Sequence, residues 1–380
     1  MSFDNSRRNI LKILIGGAFS VISGLYGTSK KLIKSGTIEK NNNSIISVTD
    51  LPISGPLPTV DPFLFCVHHN DTYPTAKSDL TPDASLFGRN IGNDFSNKDG
   101  WSMYHGEKVP GFPRHPHRGF ETLTVVSEGI IDHADSLGAS ARYGDGDAQW
   151  LTAGDGINHS EMFPLLNQNG KNKLDFFQIW LNLPSYNKRA EPNFEMYWKD
   201  DIPKISDSSF GNKNLEVELV TGDYQDTIAP MAPKNSWAND KKNDVAVWII
   251  RLNERGEFLI PQTQSGANRN LYILKSSNIE IDGEIIPDHS MVVLNASKKT
   301  VIKNLGEKTK LLMLQGVPIN EPVVSYGPFV MNSKREIEQA FSDYHKNEFG
   351  GWKWGSSDPV HGLGKDKFAK LINGKIVKPL

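Results

Sequence analysis

The sequence predicts an all-β protein built of two successive units, followed by one helix near the C-terminus. Three observations carry this expectation. Short runs rich in β-branched and aromatic residues recur along the chain and end in Gly, Asn or Pro. They form two series of similar size, separated by the polar stretch "KISDSSFGNKN", Lys204 to Asn214. One segment, after Ser333, combines a helical apolar stripe with a capping signal. Strands this closely spaced suggest sandwiches or barrels.

The first 43 residues differ from the rest. "SRRNILK" (Ser6 to Lys12) places Arg7, Arg8 and Lys12 ahead of "ILIGGAFSVISGLYG", which carries no charge from Ile13 to Gly27. A basic head before a short apolar run has the order of an export signal. The paired arginines resemble the twin-arginine type, which predicts a periplasmic or otherwise exported protein. The run falls short of the roughly 20 apolar residues of a spanning helix. No A-x-A site follows, so an uncleaved anchor is the alternative, and it would be the chain's one link to a membrane. "SGTIEKNNNS" then reads as a polar linker. The expected division is 1–43 signal and linker, 44–203 first β unit, and 204–380 second β unit with helix and tail.

In the first unit, "ETLTVVSEG", "DAQWLTAG" and "KLDFFQIWLNLP" read as strands. In the last, Phe177, Ile179, Leu181 and Leu183 alternate with Gln178, Trp180 and Asn182, the period of two of a strand. The second unit runs through "DVAVWIIRLN", "GEFLIPQ", "NLYILK", "NIEIDGEIIP", "SMVVLN", "TVIKNL" and "KLLMLQG". Asp282-Gly283 predicts a tight hairpin, since both residues tolerate positive φ. In "NSKREIEQAFSDYHK", Ser333 precedes Glu336 by three residues, a capping box. Ile337, Ala340, Phe341 and Tyr344 then share one helical face.

A formal net charge of -2 over 380 residues gives no field drawing the chain to nucleic acid. One cysteine, Cys66, excludes an internal disulfide and any Cys-based zinc cluster. A metal site must therefore use His and carboxylates.

Such a set is present. In "GFPRHPHRGFET", His115 and His117 stand two apart, and residues two apart on a strand face the same side. The proline between them suggests a sheet edge or barrel mouth. In "TAGDGINHSEMFP", His159 and Glu161 repeat the spacing. Three imidazoles and a carboxylate leave open positions on an octahedral ion, a set suited to iron(II), manganese, nickel or copper, with zinc as a competitor. Glu121 shares the parity of His115 and His117, so spacing does not choose between it and Glu161. His68, His69 and His105 read as surface or loop residues. His289 has no histidine two residues away, so the second unit builds no equivalent site. Phe120, Trp150, Met162, Phe177 and Trp180 read as core residues, one or two of which would line a cavity.

"GFPRHPHRGFET", "GDAQWLTAGDGINHSEM", "IWLNLP" and "NEPVVSYGPFVMNSKREIEQAFSDYHKNEFG" closely resemble the pirin family of the cupin superfamily. The resemblance runs from about Val60 to Gly350. It implies a bicupin: two stacked β-barrel domains, with one divalent metal in the first, usually iron. It implies the ligands His115, His117, His159 and Glu161, and a supporting place for Glu121 behind a ligand imidazole. Several members resemble quercetin 2,3-dioxygenases, which implies a small aromatic substrate and O2, with Glu161 taking the hydroxyl proton. An animal member acts as a nuclear co-regulator, so a metal- or redox-sensing module with a protein partner is the alternative. A monomer is expected. This chain differs from the usual pattern in its export signature and in a longer segment from Cys66 to Val109.

Overall fold

The structure, a computed structural model, describes residues 44–206, 214–275 and 278–380. The export signature and most of the polar stretch between the units lie outside the described residues. Among the described residues no helix is long and apolar enough to cross a membrane.

The first unit contains β2 (Phe63–Tyr73), β3 (Gly111–His117), β4 (Phe120–Glu128), β5 (Ile130–Asp135), β6 (Ser140–Gly144), β7 (Ala148–Thr152), β8 (Ile157–Met162), β9 (Asn172–Asn182) and β10 (Asn193–Tyr197); β1 is Ile45–Asp50. Two sheets face each other. One has the order β10-β7-β4-β9-β2; the other runs from two short tail strands through β6, β5 and β8 to β3 at its edge. This is the two-sheet cupin barrel. The second unit pairs a seven-stranded sheet with a four-stranded one.

Strand β9 shows how the units stack. Phe177, Ile179 and Leu181 join Leu123 and Val125 of β4 in one core with Val247, Ile249, Leu312 and Leu314 of the second unit. Phe176 turns the other way, into the core of the first barrel. Burying each large side chain contributes roughly 1.5–3 kcal/mol, so this shared core joins the units firmly. The Asp282-Gly283 hairpin forms with φ of 49° and 88°.

Two outlying strands cross the expected division between the units. β1 leaves the first unit and pairs antiparallel with Ser290–Asn295 of the second. The short strand Lys204–Ile205 is paired as well, against Val217 and Glu218. Conversely, the tail strand Phe368–Lys370 pairs with β6 of the first barrel. Composition marks where a strand series pauses, but a terminal strand joins whichever sheet edge leaves its backbone groups unpaired.

The helix α1 (Lys334–Asn347) forms as its capping box predicts. The amide of Glu336 donates to Ser333 Oγ, and that hydroxyl donates to Glu336 Oε2 at 2.7 Å. Ile337, Ala340 and Tyr344 are buried, and Phe341 packs on Phe329 of a short hairpin. Arg118, directly after His117, reaches α1 through Asp343 at 2.7 Å.

A charged lock crosses the unit junction. Lys310 Nζ donates to both Asp175 oxygens at 2.5 Å, and His68 Nε2 lies 2.9 Å from Oδ1. Burial opposes the charge on Asp175, but the His68 hydrogen bond and the Lys310 ammonium outweigh it and hold the carboxyl at about 2. A depressed carboxyl stabilises the fold above its unfolded pKa, and this is lost as pH falls through the folded one. Asp175→Asn is expected to lower unfolding free energy by about 2 kcal/mol at pH 7. Its difference from wild type should shrink between about pH 4 and pH 2. Urea unfolding across that range measures it.

Candidate metal centre

β3 and β8 pair antiparallel and place His115 directly opposite His159. The prolines at 113 and 116 have no N–H, so β3 sits at a sheet edge, where missing donors cost least. His117 points the same way as His115. Ring centroids lie 4.8 Å apart for His115–His117, 4.4 Å for His115–His159 and 4.9 Å for His117–His159. One nitrogen from each ring comes within 4.8 Å of the others.

The hydrogen bonding of the three rings tests whether a metal fits. His115 Nδ1 donates to Pro113 O at 2.8 Å, which leaves Nε2 for an ion. Neither nitrogen of the fully buried His159 has a partner, and His117 Nδ1 has none. An unsatisfied buried polar atom costs roughly 1–3 kcal/mol. One unpartnered nitrogen from His159 and one from His117, together with His115 Nε2, are satisfied by a single cation. Burial lowers all three pKa values, His115 to about 4 and the other two well below the usual range, with neighbouring imidazoles adding to the effect. The rings are therefore neutral, as ligation requires. The donor set fits a divalent ion.

Glu161 lies beside this triad. Its Oε2 is 3.9 Å from His159 Nε2. Gln178 Nε2 donates to Oε2 at 2.7 Å, and Thr124 Oγ1 donates to Oε1 at 3.3 Å. The β3–β8 register slips between Phe112 and His115, so Glu161 stands opposite Phe112 on β3 and His133 on β5. Burial raises its pKa, partly offset by His133 and the two hydrogen bonds.

Glu121 is elsewhere, which corrects its expected place behind a ligand. Gly119, at φ 87°, turns the chain between β3 and β4, and a Cβ there would meet Val330 O at 1.9 Å. The parity of β3 therefore does not continue into β4. Glu121 faces the second unit, accepting from Thr152 Oγ1 and Ser236 Oγ, each at 2.6 Å.

Two of the outlying histidines differ from expectation. His68 and His69 are strand residues of β2. His68 belongs to the junction lock, while the buried His69 stacks on Phe176 at 4.4 Å. His105 Nδ1 donates to Gly92 O at 2.9 Å. With Tyr104 it packs against Phe112, which neighbours His115, and Phe95 packs on both His105 and Tyr104. The long segment before β3 thus covers this side of the cluster. His289 bonds two backbone carbonyls of its own surroundings. Among the five apolar candidates, Phe120 and Trp180 pack on His117 at 5.0 and 5.3 Å. Trp150 and Phe177 belong to the unit junction, and Met162 packs with Leu80 and Val109.

Sequence reasoning missed Gln178, Thr124 and His133. The signal for Gln178 was present: a polar residue at the parity opposite Phe177 on a doubly apolar strand. His133 and Asp135 also stand two apart, and His133 Nε2 lies 3.2 Å from Asp135 Oδ2, with its ring 5.6 Å from that of His159.

The pirin profile matches residues 52–181, and the pirin C-terminal cupin domain profile matches residues 247–350. A pirin-like protein of Solanum lycopersicum is 33% identical over 283 residues, covering 72% of this chain and 91% of that protein. The chain belongs to the pirin family. A Pseudomonas aeruginosa protein whose name assigns it provisionally to the quercetin 2,3-dioxygenases is 32% identical over 239 residues, 63% of this pirin and 79% of that protein. A crystal structure of quercetin 2,3-dioxygenase from Acinetobacter baumannii superposes with a TM-score of 0.63 at 23% identity, covering 82% of this chain and 99% of that one. The latter likeness is one of fold. In this pirin the matched ranges end at Gly350, and thirty residues follow.

Proposed function

We propose that this pirin is a metal-dependent dioxygenase, exported by a twin-arginine-type route, acting with O2 on a flavonol or related enol- or catechol-like molecule. One observation carries the reading: three neutral imidazoles converge, each with a nitrogen free for an ion, beside a buried carboxylate that two side chains hold in place. His115, His117 and His159 would hold the ion, with Glu161 as fourth ligand or adjacent base, and iron(II) suits this set. When bound, the ion supplies orientation and stabilisation of negative charge on the substrate oxygen.

The chain's own residues do the rest. Glu161 takes the substrate hydroxyl proton on a carboxylate oxygen. Its raised pKa, set by burial, brings it toward the range where a base works near neutral pH. Gln178 and Thr124 fix the carboxylate's rotation, so it meets the proton without reorganising. Phe120 and Trp180 keep water from the His117 side. The relatives' names support the substrate class.

Glu161→Gln is expected to lower turnover by roughly 10²–10⁴-fold, the usual worth of a positioned base, while the three histidines retain the metal. Metal analysis of the exported protein, with oxygen uptake on a flavonol panel, reads both. Full turnover in the variant removes Glu161 from the mechanism. Metal-loaded wild type without oxygen uptake, capturing a protein partner according to iron oxidation state, replaces the enzyme reading with a sensing one.

A further inference from the structure

We infer that the segment after Gly350 is a positioning strap, which sets the distance between the two triad-bearing strands from their outer face. The inference rests on the reading of the triad as a metal site. Apart from Glu348, it rests on tail residues beyond both ranges matched by the family profiles.

Adjacent residues on a strand point to opposite faces. The residue before His115 and the residue before His159 therefore look outward, away from the triad, and the end of the chain holds both. The amide of Arg114 donates to Ser357 O at 2.7 Å. Its guanidinium pairs with Glu348 at 2.5 Å and lies 5.6 Å over the ring of Trp352. Asn158 Nδ2 donates to Glu348 O and, at 3.3 Å, to Gly351 O.

The segment then fastens to the next strands of the same sheet. Trp354 Nε1 donates to Asp135 O at 2.8 Å. His361 donates twice, from its amide to Asp132 Oδ2 at 2.7 Å and from Nε2 to His133 O at 2.9 Å. Finally Phe368–Lys370 adds a strand beside β6. Four strands of one sheet, β3, β8, β5 and β6, are all contacted by one run of chain.

β3 needs this support. It lies at the sheet edge, lacks two N–H groups at its prolines, and slips register against β8 between Phe112 and His115. A metal site needs its ligands held within about 0.5 Å, by packing and hydrogen bonds outside the ligand set. Here that outer support comes through backbone and outward side chains.

The test uses the full chain and Co(II), whose visible bands report ligand geometry. Trp354→Ala with His361→Ala removes two of the donors that anchor the strap. Expected are a Co(II) affinity weakened by roughly 10–100-fold, the range for losing outer support of a metal site, a shifted Co(II) spectrum, and faster hydrogen exchange at the Arg114 amide. His361→Gln keeps an N–H donor and should restore affinity relative to His361→Ala. That single pair serves alone if the double variant fails to fold. A double variant of lower Tm but unchanged Co(II) affinity and spectrum makes the segment purely structural and overturns the inference. Wild type that binds no Co(II) overturns the metal reading itself, and the strap's role in metal geometry with it.

Discussion

His159→Ala is expected to abolish metal binding, with affinity falling by more than the roughly 10–100-fold that loss of an outer partner costs. His159 lies 4.4 Å from His115 and 4.9 Å from His117. It is also the one ring of the three with both nitrogens unpartnered and buried. In the metal-free protein its removal leaves a cavity where the ring packed but also removes two unsatisfied buried nitrogens, and these opposing effects make the metal-dependent shift in Tm the diagnostic one. The loss appears when metal is present. An ion bound at a concentration about 100 times its Kd adds about 2.7 kcal/mol to wild type, and this gain vanishes in the variant. Thermal unfolding with and without metal, beside metal analysis, measures both parts. Wild-type metal content in His159→Ala would mean that the triad is not the site.

The second large effect concerns Glu121 and pH. Burial between the units raises its carboxyl to about 7, against the opposing hydrogen bonds from Ser236 and Thr152. The folded protein therefore holds a proton there that the unfolded chain gives up near 4.5. Stability rises with pH only where the unfolded state binds more protons; here the folded state does. Glu121 thus lowers stability progressively as pH rises from about 4.5 to about 7, by on the order of 3 kcal/mol, and no further above that. Glu121→Gln keeps an acceptor for one hydroxyl and a donor for the other, and removes this slope. The variant should match wild type near pH 5 and exceed it at pH 8, in urea unfolding at the two pH values. Equal stability at pH 8 would place the charge of Glu121 in contact with a compensating group.

Much of this was legible in the sequence. The capping box at Ser333, the Asp282-Gly283 turn and the alternation of β9 are local patterns, and each formed as read. His115, His117 and His159 were legible because the spacing of two survives in any strand, and because so few histidines are grouped in this way. Glu121 was misplaced because parity counts only within a strand, and the turn at Gly119 ends the strand first. His68 and His69 were misread because strand β2 carries polar residues on both faces, one face meeting the junction and the other the barrel mouth.

By itself, then, the sequence determined two β units, their hairpins, the helix and three histidines able to share a face. These follow from covalent geometry, which repeats every two residues in a strand and every 3.6 in a helix. Only the tertiary structure decided that β1 joins the second sheet, that residues past Gly350 return to brace the first, and that Glu161 meets Gln178 while Glu121 meets Ser236. Those pairings join residues far apart in the chain. They are selected by which unpaired edges and apolar faces lose contact with water together, a balance over the whole molecule that no short stretch of residues encodes.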